Sequence, residues 1–292
     1  MSNAANFRKL LASKKMIVAP GAIDCITGRA IAQAGFPAVY MTGAGTSATL
    51  GYPDYGLITM SEMVGNAARI VNSIDIPLIS DSDTGFGNEL NVYRTVQEFE
   101  RAGVAAIHIE DQVFPKKCGH LDNKELVSRE DFIAKIRAAA AARRSKDFCI
   151  IARTDSRAVV NLEEAIERAN AALAAGADVA FVEAPQTMAE IESVPKKVNG
   201  PCLLNVVRGG KTPEIDLRDA QAMGYRLAIV PGLLFKTVMA SCDDALAALK
   251  KEHRHPVPGR PMTVQQAFAR VGANDWDPLR TAFREPAAKA AE

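Results

Sequence analysis

The chain has 292 residues, with 35 Lys or Arg against 34 Asp or Glu, so its formal net charge at pH 7 is +1. This balance argues against a generally basic nucleic-acid-binding surface and against an acidic tail. A hydrophobic content of 48% is enough for a large core and argues against a disordered chain. No run of about 18 uncharged apolar residues is present, so we expect no membrane span.

The cysteines are odd in number and widely spaced, and no two of them form a C-x-x-C pair. A disulfide framework or a structural zinc site is therefore not expected. Reduced thiols are typical of cytosolic proteins, so we predict a cytoplasmic protein. The five positions are Cys25, Cys118, Cys149, Cys202 and Cys242.

Short apolar runs recur along the chain, and each is followed by a loop and then by a helical pattern. The runs are rich in Ile, Val and Leu and show little polar alternation, which is typical of parallel strands buried on both faces. They lie at 16–19, 38–42, 78–81, 105–110, 149–153, 179–183, 202–206 and 227–230.

Amphipathic stretches at 60–71, 92–101, 129–142, 162–174 and 233–249 fill the gaps between these runs. A glycine closes a helical pattern shortly before the next run at positions 35, 103, 176 and 224, because glycine accepts the left-handed conformation that ends a helix. Eight such units with right-handed crossovers favour a closed (β/α)8 TIM-type barrel. An open, doubly wound sheet is the alternative.

We therefore predict an α/β fold in which residues 1–255 form the barrel and a short helix at 7–13 covers one end. The repeat stops after Pro256. Residues 256–292 are predicted to form a C-terminal helical extension, with a helix near 264–271, that serves subunit contact rather than a separate domain.

Carboxylates end two neighbouring runs, at the barrel end where βα-barrel enzymes hold their active sites. Asp81 and Asp83 follow the third run and Glu110 ends the fourth. Three close carboxylates repel one another unless a cation neutralises them, and oxygen ligands suit Mg²⁺, with Mn²⁺ as an alternative ion. Asp54 can join from the loop after the second run. Alternatively, Asp81 and Asp83 cap the next helix and Glu110 pairs with an arginine.

Further polar side chains end the remaining runs. Arg153 ends the fifth run, and its planar fork matches a carboxylate or phosphate; a bridge to Glu183 or Asp155 is the alternative. Glu183 and Asn205 end the sixth and seventh runs. After the second run, the stretch TGAG at 42–45 offers backbone N–H groups to an anionic oxygen.

The loop after the fourth run contains a cysteine in an electropositive setting. Cys118 is flanked by Lys116, Lys117 and His120, which should favour the thiolate. Gly119 gives the loop freedom to close over a ligand. An inert cysteine is the alternative.

Together these stretches resemble the isocitrate lyase/phosphoenolpyruvate mutase superfamily. They follow the superfamily's order over about residues 7–250, and they end with the Glu183 and Asn205 strand ends. The matching stretches are VYMTGAG at 39–45, DSDTGFG at 81–87, IHIEDQ at 107–112, KKCGH at 116–120 and IARTD at 151–155.

The resemblance implies a barrel whose last helix is swapped between subunits in a homodimer or homotetramer. It also implies a Mg²⁺ site in which Asp81 is a direct ligand and Asp54, Asp83 and Glu110 hold metal-bound water.

The KKCGH stretch marks the carbon–carbon lyases of the superfamily, whereas phosphonate-processing mutases lack the cysteine. The residues after Asn205 resemble the branch that contains 2,3-dimethylmalate lyase and the petal death protein. That branch acts on dicarboxylates with an apolar substituent. Arg208 departs from the branch, which has glutamate there, so the identity of the substrate is left open.

We predict Mg²⁺-dependent cleavage of a 2-hydroxydicarboxylate of the 2,3-dimethylmalate, citramalate or methylisocitrate type, giving an α-keto acid such as pyruvate and a second carboxylic acid. The predicted partner is thus a small di- or tricarboxylate. Cys118 is the predicted general acid, with His120, Arg153 and Glu183 as the other catalytic residues. The predicted substrate-binding residues are Tyr40, Thr42, Gly43, Ala44, Asp81, Arg153 and Asn205.

Three other functions remain open at this point. The same site can hydrolyse or decarboxylate oxaloacetate. A carboxyphosphonoenolpyruvate or phosphoenolpyruvate phosphonomutase is disfavoured by Cys118. The last alternative is a non-catalytic binding protein on the same barrel.

Overall fold

Eight parallel strands form a closed barrel in which each strand pairs with the next and β8 pairs with β1. The computed structural model describes residues 2–121, 123–257 and 259–284. The predicted TIM-type barrel is confirmed, and the open sheet is excluded. The strands are β1 (Ile17–Ala22), β2 (Val39–Met41), β3 (Leu78–Asp81), β4 (Ala106–Glu110), β5 (Cys149–Thr154), β6 (Val179–Val182), β7 (Cys202–Asn205) and β8 (Leu227–Val230).

One helix precedes the first strand, and further helices connect the strands and follow the last one. They are α1 (Asn3–Ala12), α2 (Cys25–Gln33), α3 (Gly43–Thr49), α4 (Met60–Val71), α5 (Glu89–Arg101), α6 (Arg129–Ala142), α7 (Ser156–Val159), α8 (Leu162–Ala174), α9 (Met188–Lys197), α10 (Leu217–Met223), α11 (Gly232–Glu252), α12 (Val264–Arg270) and α13 (Ala273–Ala282). Within the described residues, no helix is both long and apolar enough to cross a bilayer.

The helix bounds follow capping chemistry more closely than apolar periodicity. Helix α5 begins at Glu89 rather than at the predicted residue 92, because the Asn88 side chain accepts hydrogen bonds from the backbone N–H groups of Leu90 and Asn91. The TGAG stretch is the start of α3 rather than an open loop, since the Thr42 side chain accepts a hydrogen bond from the Gly45 N–H.

The barrel interior is apolar at one end and polar at the other. Phe7 and Leu11 of α1 belong to the same buried cluster as the inward-facing Ile79, Ile151 and Phe181. The predicted covering of one barrel end by a short helix is therefore confirmed. The buried polar side chains of the candidate site lie toward the carboxyl ends of the strands.

The chain divides into two compact units, Met1–Thr237 and Val238–Glu292. The first contains the barrel and the start of α11, and the second contains the rest of α11 with α12 and α13. This division falls inside α11, whereas the sequence predicts a boundary at 255–256. The role of the extension in subunit contact stays a prediction.

Candidate active site

The carboxyl ends of the strands surround a cavity of about 260 Å³. Gly43, Asp83 and Glu110 lie beside its walls, within bonding distance of Asp81 or Arg153. The barrel thus brings together all the predicted site residues. Those that line the cavity are Tyr40, Thr42, Ala44, Asp54, Asp81, Cys118, His120, Arg153, Glu183 and Asn205.

Asp81 is the most strongly hydrogen-bonded of the predicted metal ligands. It accepts hydrogen bonds from the backbone N–H of Gly43 at 3.1 Å and from that of Asp83 at 2.9 Å. Burial alone would raise the pKa of its carboxyl, but the facing His108, Lys116 and Arg153 lower that pKa to about 2. Asp81 is therefore a carboxylate at neutral pH.

Lys116 lies between two of the predicted metal ligands. Its ammonium forms ion pairs with Asp54 at 2.5 Å and with Asp83 at 2.9 Å. Burial, together with repulsion from Asp81 and Asp54, raises the pKa of Asp83 to about 6 despite the lysine. Among the described residues, no three His, Cys, Asp or Glu side chains are arranged to hold a metal ion in this conformation.

Glu110 is fully buried and pairs with an arginine. Its carboxylate lies 3.2 Å from Arg153 Nε and accepts a hydrogen bond from the Gln112 side-chain amide at 3.0 Å. Burial raises its pKa well above the ordinary value. The alternative prediction for Glu110 is therefore correct, whereas the capping of the next helix falls to Asn88 and not to the aspartates.

The Arg153 guanidinium is already engaged within the protein. It donates to both oxygens of Asp155, at 2.9 and 3.2 Å, and lies 4.0 Å from Glu183. Its guanidinium carbon also lies 5.2 Å from the centre of the Phe181 ring. The alternative prediction of a bridge to Asp155 and Glu183 is correct, and it coexists with a place in the cavity wall.

Glu183 organises the opposite wall of the cavity. The Asn205 amide donates to both Glu183 oxygens at 3.2 Å, and His120 Nε2 lies 3.1 Å from one of them. Because His120 Nδ1 accepts a hydrogen bond from the Lys211 N–H, the imidazole proton belongs on Nε2, toward Glu183. Burial lowers the pKa of His120, so the ring is neutral at pH 7.

The pKa of the Cys118 thiol differs from what its neighbours in the sequence predict. Burial raises its pKa, and this effect outweighs the backbone hydrogen bond from His120 and the nearby Arg153 and Lys116. The predicted preference for the thiolate is therefore wrong, because burial raises the pKa more than the neighbouring cations lower it. At neutral pH the group is a protonated thiol, which can donate a proton.

His108 contacts the site, although its place inside an apolar strand favours a buried packing histidine. Its Nε2 lies 2.7 Å from the Tyr40 hydroxyl and 3.4 Å from Asp81. Burial lowers its pKa to about 4, so it is neutral at pH 7. A histidine inside an apolar strand carries no sequence signal that separates a site residue from a packed one.

Comparisons with known proteins agree with this geometry. The family model described as phosphoenolpyruvate phosphomutase matches residues 7–250. The chain belongs to this family. The 2,3-dimethylmalate lyase of Eubacterium barkeri is 47% identical, over 86% of this chain and 88% of its own. The 2-methylisocitrate lyase of Aeropyrum pernix is 40% identical, over 92% and 87%.

A solved structure of an oxaloacetate acetylhydrolase, in complex with the inhibitor 3,3-difluorooxalacetate, superimposes with a TM-score of 0.93. It is 37% identical to this chain, and the match covers 98% of this chain and 99% of the other. The predicted membership of the isocitrate lyase/phosphoenolpyruvate mutase superfamily and the predicted type of enzyme, a carbon–carbon lyase, are confirmed by these relatives.

Replacing Lys116 tests how the buried carboxylates are neutralised. Lys116→Met leaves Asp54 and Asp83 without their cation, and we expect it to lower the free energy of unfolding by about 3–5 kcal/mol without added metal. Mg²⁺ should restore part of this loss if the freed carboxylates bind it. Urea unfolding with and without Mg²⁺ measures both effects.

Lys196→Met is the matched control, because Lys196 forms an exposed ion pair with Glu192 at 2.5 Å. We expect it to change stability by less than about 1 kcal/mol. A Lys116→Met protein as stable as the wild type in metal-free buffer contradicts this assignment of charge.

Proposed function

We propose that this protein cleaves the C2–C3 bond of a 2-hydroxydicarboxylate, releasing an α-keto acid such as pyruvate and a second carboxylic acid. The observation that carries this proposal is the placement of a protonated thiol, Cys118, in the same small cavity as Asp81 and Arg153. The cavity therefore combines an anion-binding region with a proton donor. The lyase names of the curated relatives support this class of reaction.

A divalent cation is the proposed cofactor, Mg²⁺ or alternatively Mn²⁺, held by Asp81, Asp83, Glu110 and Asp54. The donor set fits, because it consists of carboxylate oxygens that burial and mutual repulsion make costly to ionise, as the raised pKa values of Asp83 and Glu110 indicate. Glu110 Oε2 is buried and, apart from its ion pair with Arg153 Nε at 3.2 Å, has no hydrogen-bond partner among the described residues. When bound, the ion acts as a Lewis acid that stabilises negative charge on the substrate's 2-oxygen.

The protein's own groups orient the substrate. Thr42 and Ala44 present the first turn of α3 to the cavity and hold the keto-acid end, while Tyr40 and Asp81 flank it. The Gly43 N–H serves this region indirectly, because it donates to Asp81. Arg153 supplies positive charge to a substrate carboxylate, with Asp155 fixing its orientation.

Cys118 is the proposed general acid. The hydroxyl proton passes to solvent, the C2–C3 bond breaks as the 2-oxygen forms the keto group, and the bonding electrons are left on C3, next to the second carboxylate. The thiol donates its proton to C3, and the resulting thiolate regains a proton from solvent. His120 and Glu183 hold this end of the cavity in place through their contact with each other and with Asn205.

We place the C3 substituent against the apolar part of the cavity wall. Val207, Pro231 and Phe235 line it, which favours an alkyl substituent of the kind found in 2,3-dimethylmalate over a third carboxylate. Arg208 stands where the branch has glutamate. It is exposed and pairs with Glu214 at 3.0 Å, so this difference from the branch lies on the protein surface.

We also propose that the C-terminal helices mediate assembly into a homodimer or homotetramer by exchange of the last barrel helix. Helices α11, α12 and α13 bury none of their side chains. Large apolar residues such as Leu246, Phe268 and Trp276 are at least 61% exposed, which is unusual unless another chain covers them.

A substrate panel tests the proposed reaction. We expect 2,3-dimethylmalate to be cleaved to pyruvate and propionate faster than citramalate or methylisocitrate, with Mg²⁺ present, because the C3 wall is apolar. Release of pyruvate is followed with lactate dehydrogenase and the second product by proton NMR.

Oxalate and acetate from oxaloacetate, with no cleavage of any hydroxydicarboxylate, would instead support the hydrolase that the oxaloacetate acetylhydrolase likeness suggests. Turnover of phosphonopyruvate, followed by phosphorus NMR, would support a mutase.

Removing the thiol tests the general acid. Cys118→Ser should lower kcat by about 10²–10⁴, the usual contribution of a general acid, while KM changes little. Because the pKa of this thiol lies above its ordinary value of about 8.5, the wild-type kcat/KM should stay level through neutral pH and fall only above that value. The variant should lack this alkaline limb.

Cys25→Ser, at the start of α2, is the control for substituting a thiol and should keep full activity. Steady-state kinetics between pH 6 and about 10 supplies both readouts, kcat and the alkaline limb of kcat/KM. A Cys118→Ser enzyme with wild-type turnover removes Cys118 from the mechanism.

A further inference from the structure

Lys124 is a buried cation to which the proposed mechanism gives no role. It belongs to the β4–α6 loop, described over residues 111–121 and 123–128, which also carries Cys118, and only 1% of its side chain is exposed. Its ammonium donates to the backbone carbonyl of Gly119 and, at 2.8 Å, to Asp155 at the end of β5. Burying a lysine is costly unless it is paired in this way.

We propose that Lys124 is a positioning residue that holds the β4–α6 loop closed, with Cys118 over the cavity, by tying the Gly119 carbonyl to Asp155. The inference rests on the proposed function only in that the loop carries the proton donor. Gly119 directly follows Cys118, so fixing its carbonyl fixes the position of the thiol.

The contacts of Asp155 extend this role to the opposite wall. One Asp155 oxygen receives both Lys124 Nζ and Arg153 Nη2, at 2.8 and 3.2 Å. The loop and the substrate-facing arginine therefore share one carboxylate. Displacement of the loop removes a cation from Asp155 and alters the hold of Asp155 on Arg153.

The fit of the closed loop at Gly119 is tight. A Cβ atom on this glycine would overlap Arg153 Nη2 and lie 2.8 Å from Glu183 Oε1. The loop thus approaches the cavity wall as closely as a residue without a side chain allows. A cation that pulls the carbonyl of this residue toward Asp155 is well placed to keep the loop there.

Lys116 is the other lysine that anchors the loop, and its ion pairs depend on whether the proposed metal site is occupied. Lys116 pairs with Asp54 and Asp83, two carboxylates of the proposed metal site, so a bound cation competes with it. Asp155 lies outside that set. Lys124 can therefore keep the loop closed while metal and substrate occupy the site.

The test measures loop position independently of turnover. We compare the alkylation rate of Cys118 by iodoacetamide in wild type, Lys124→Met and Gly119→Ala, using peptide mass spectrometry. Cys25 in each sample is the internal reference, and Lys196→Met is the control for losing a paired lysine. We expect Cys118 to react at least tenfold faster in both loop variants, with unchanged Cys25 and with melting temperatures that show a folded protein.

The kinetic readout separates positioning from folding. In Lys124→Met we expect kcat to fall more than tenfold, and we expect added oxalate with Mg²⁺ to protect Cys118 less than in wild type. A Cys118 alkylation rate within twofold of wild type in Lys124→Met overturns the proposal, whatever the substrate proves to be. Fast alkylation in a protein that cleaves none of the hydroxydicarboxylates upholds the loop assignment and rejects only the proposed reaction.

Discussion

The neutralisation of buried carboxylates at the mouth of the barrel is the constraint on which this site depends. Six acidic side chains meet three cations there, and all of the nine except Asp54 are buried. The acids are Asp54, Asp81, Asp83, Glu110, Asp155 and Glu183, and the cations are Lys116, Lys124 and Arg153. The excess of negative charge is what a divalent cation would offset, and the raised pKa values of Asp83 and Glu110 express the same imbalance.

Strand register determines which of these charges meet. In the parallel pairing of β4 with β5, Glu110 lies beside Arg153, and in that of β3 with β4, Asp81 lies beside His108. Glu110 therefore finds its cation on the neighbouring strand, and Asp81 finds the Tyr40–His108 pair. The β4–α6 loop then adds Lys116, Cys118 and Lys124 from above. The barrel supplies fixed positions, and the loop supplies the thiol that we propose as the proton donor.

Much of this arrangement follows from the sequence, because it depends on local patterns. Continuous apolar runs mark parallel strands, and strand ends in a barrel must meet, so the site residues were predicted together. Side-chain partners are different, since they depend on rotamers and on loop position. Lys116 was predicted only as charge near Cys118, yet it turns to Asp54 and Asp83. The pKa of Cys118 is raised because the effect of burial exceeds the lowering by Lys116 and Arg153.

A crystal structure of the protein soaked with pyruvate and Mg²⁺ tests the central claim most directly. We predict an ion among the oxygens of Asp81, Asp83 and Glu110, Lys116 displaced from at least one of its carboxylates, and pyruvate between the start of α3 and Arg153. The thiol of Cys118 should face the carbonyl carbon of pyruvate, because this carbon is C2 of the substrate and C3 departs from it. Pyruvate bound elsewhere, or Lys116 still paired with both aspartates and no ion beside Asp81, would contradict the account.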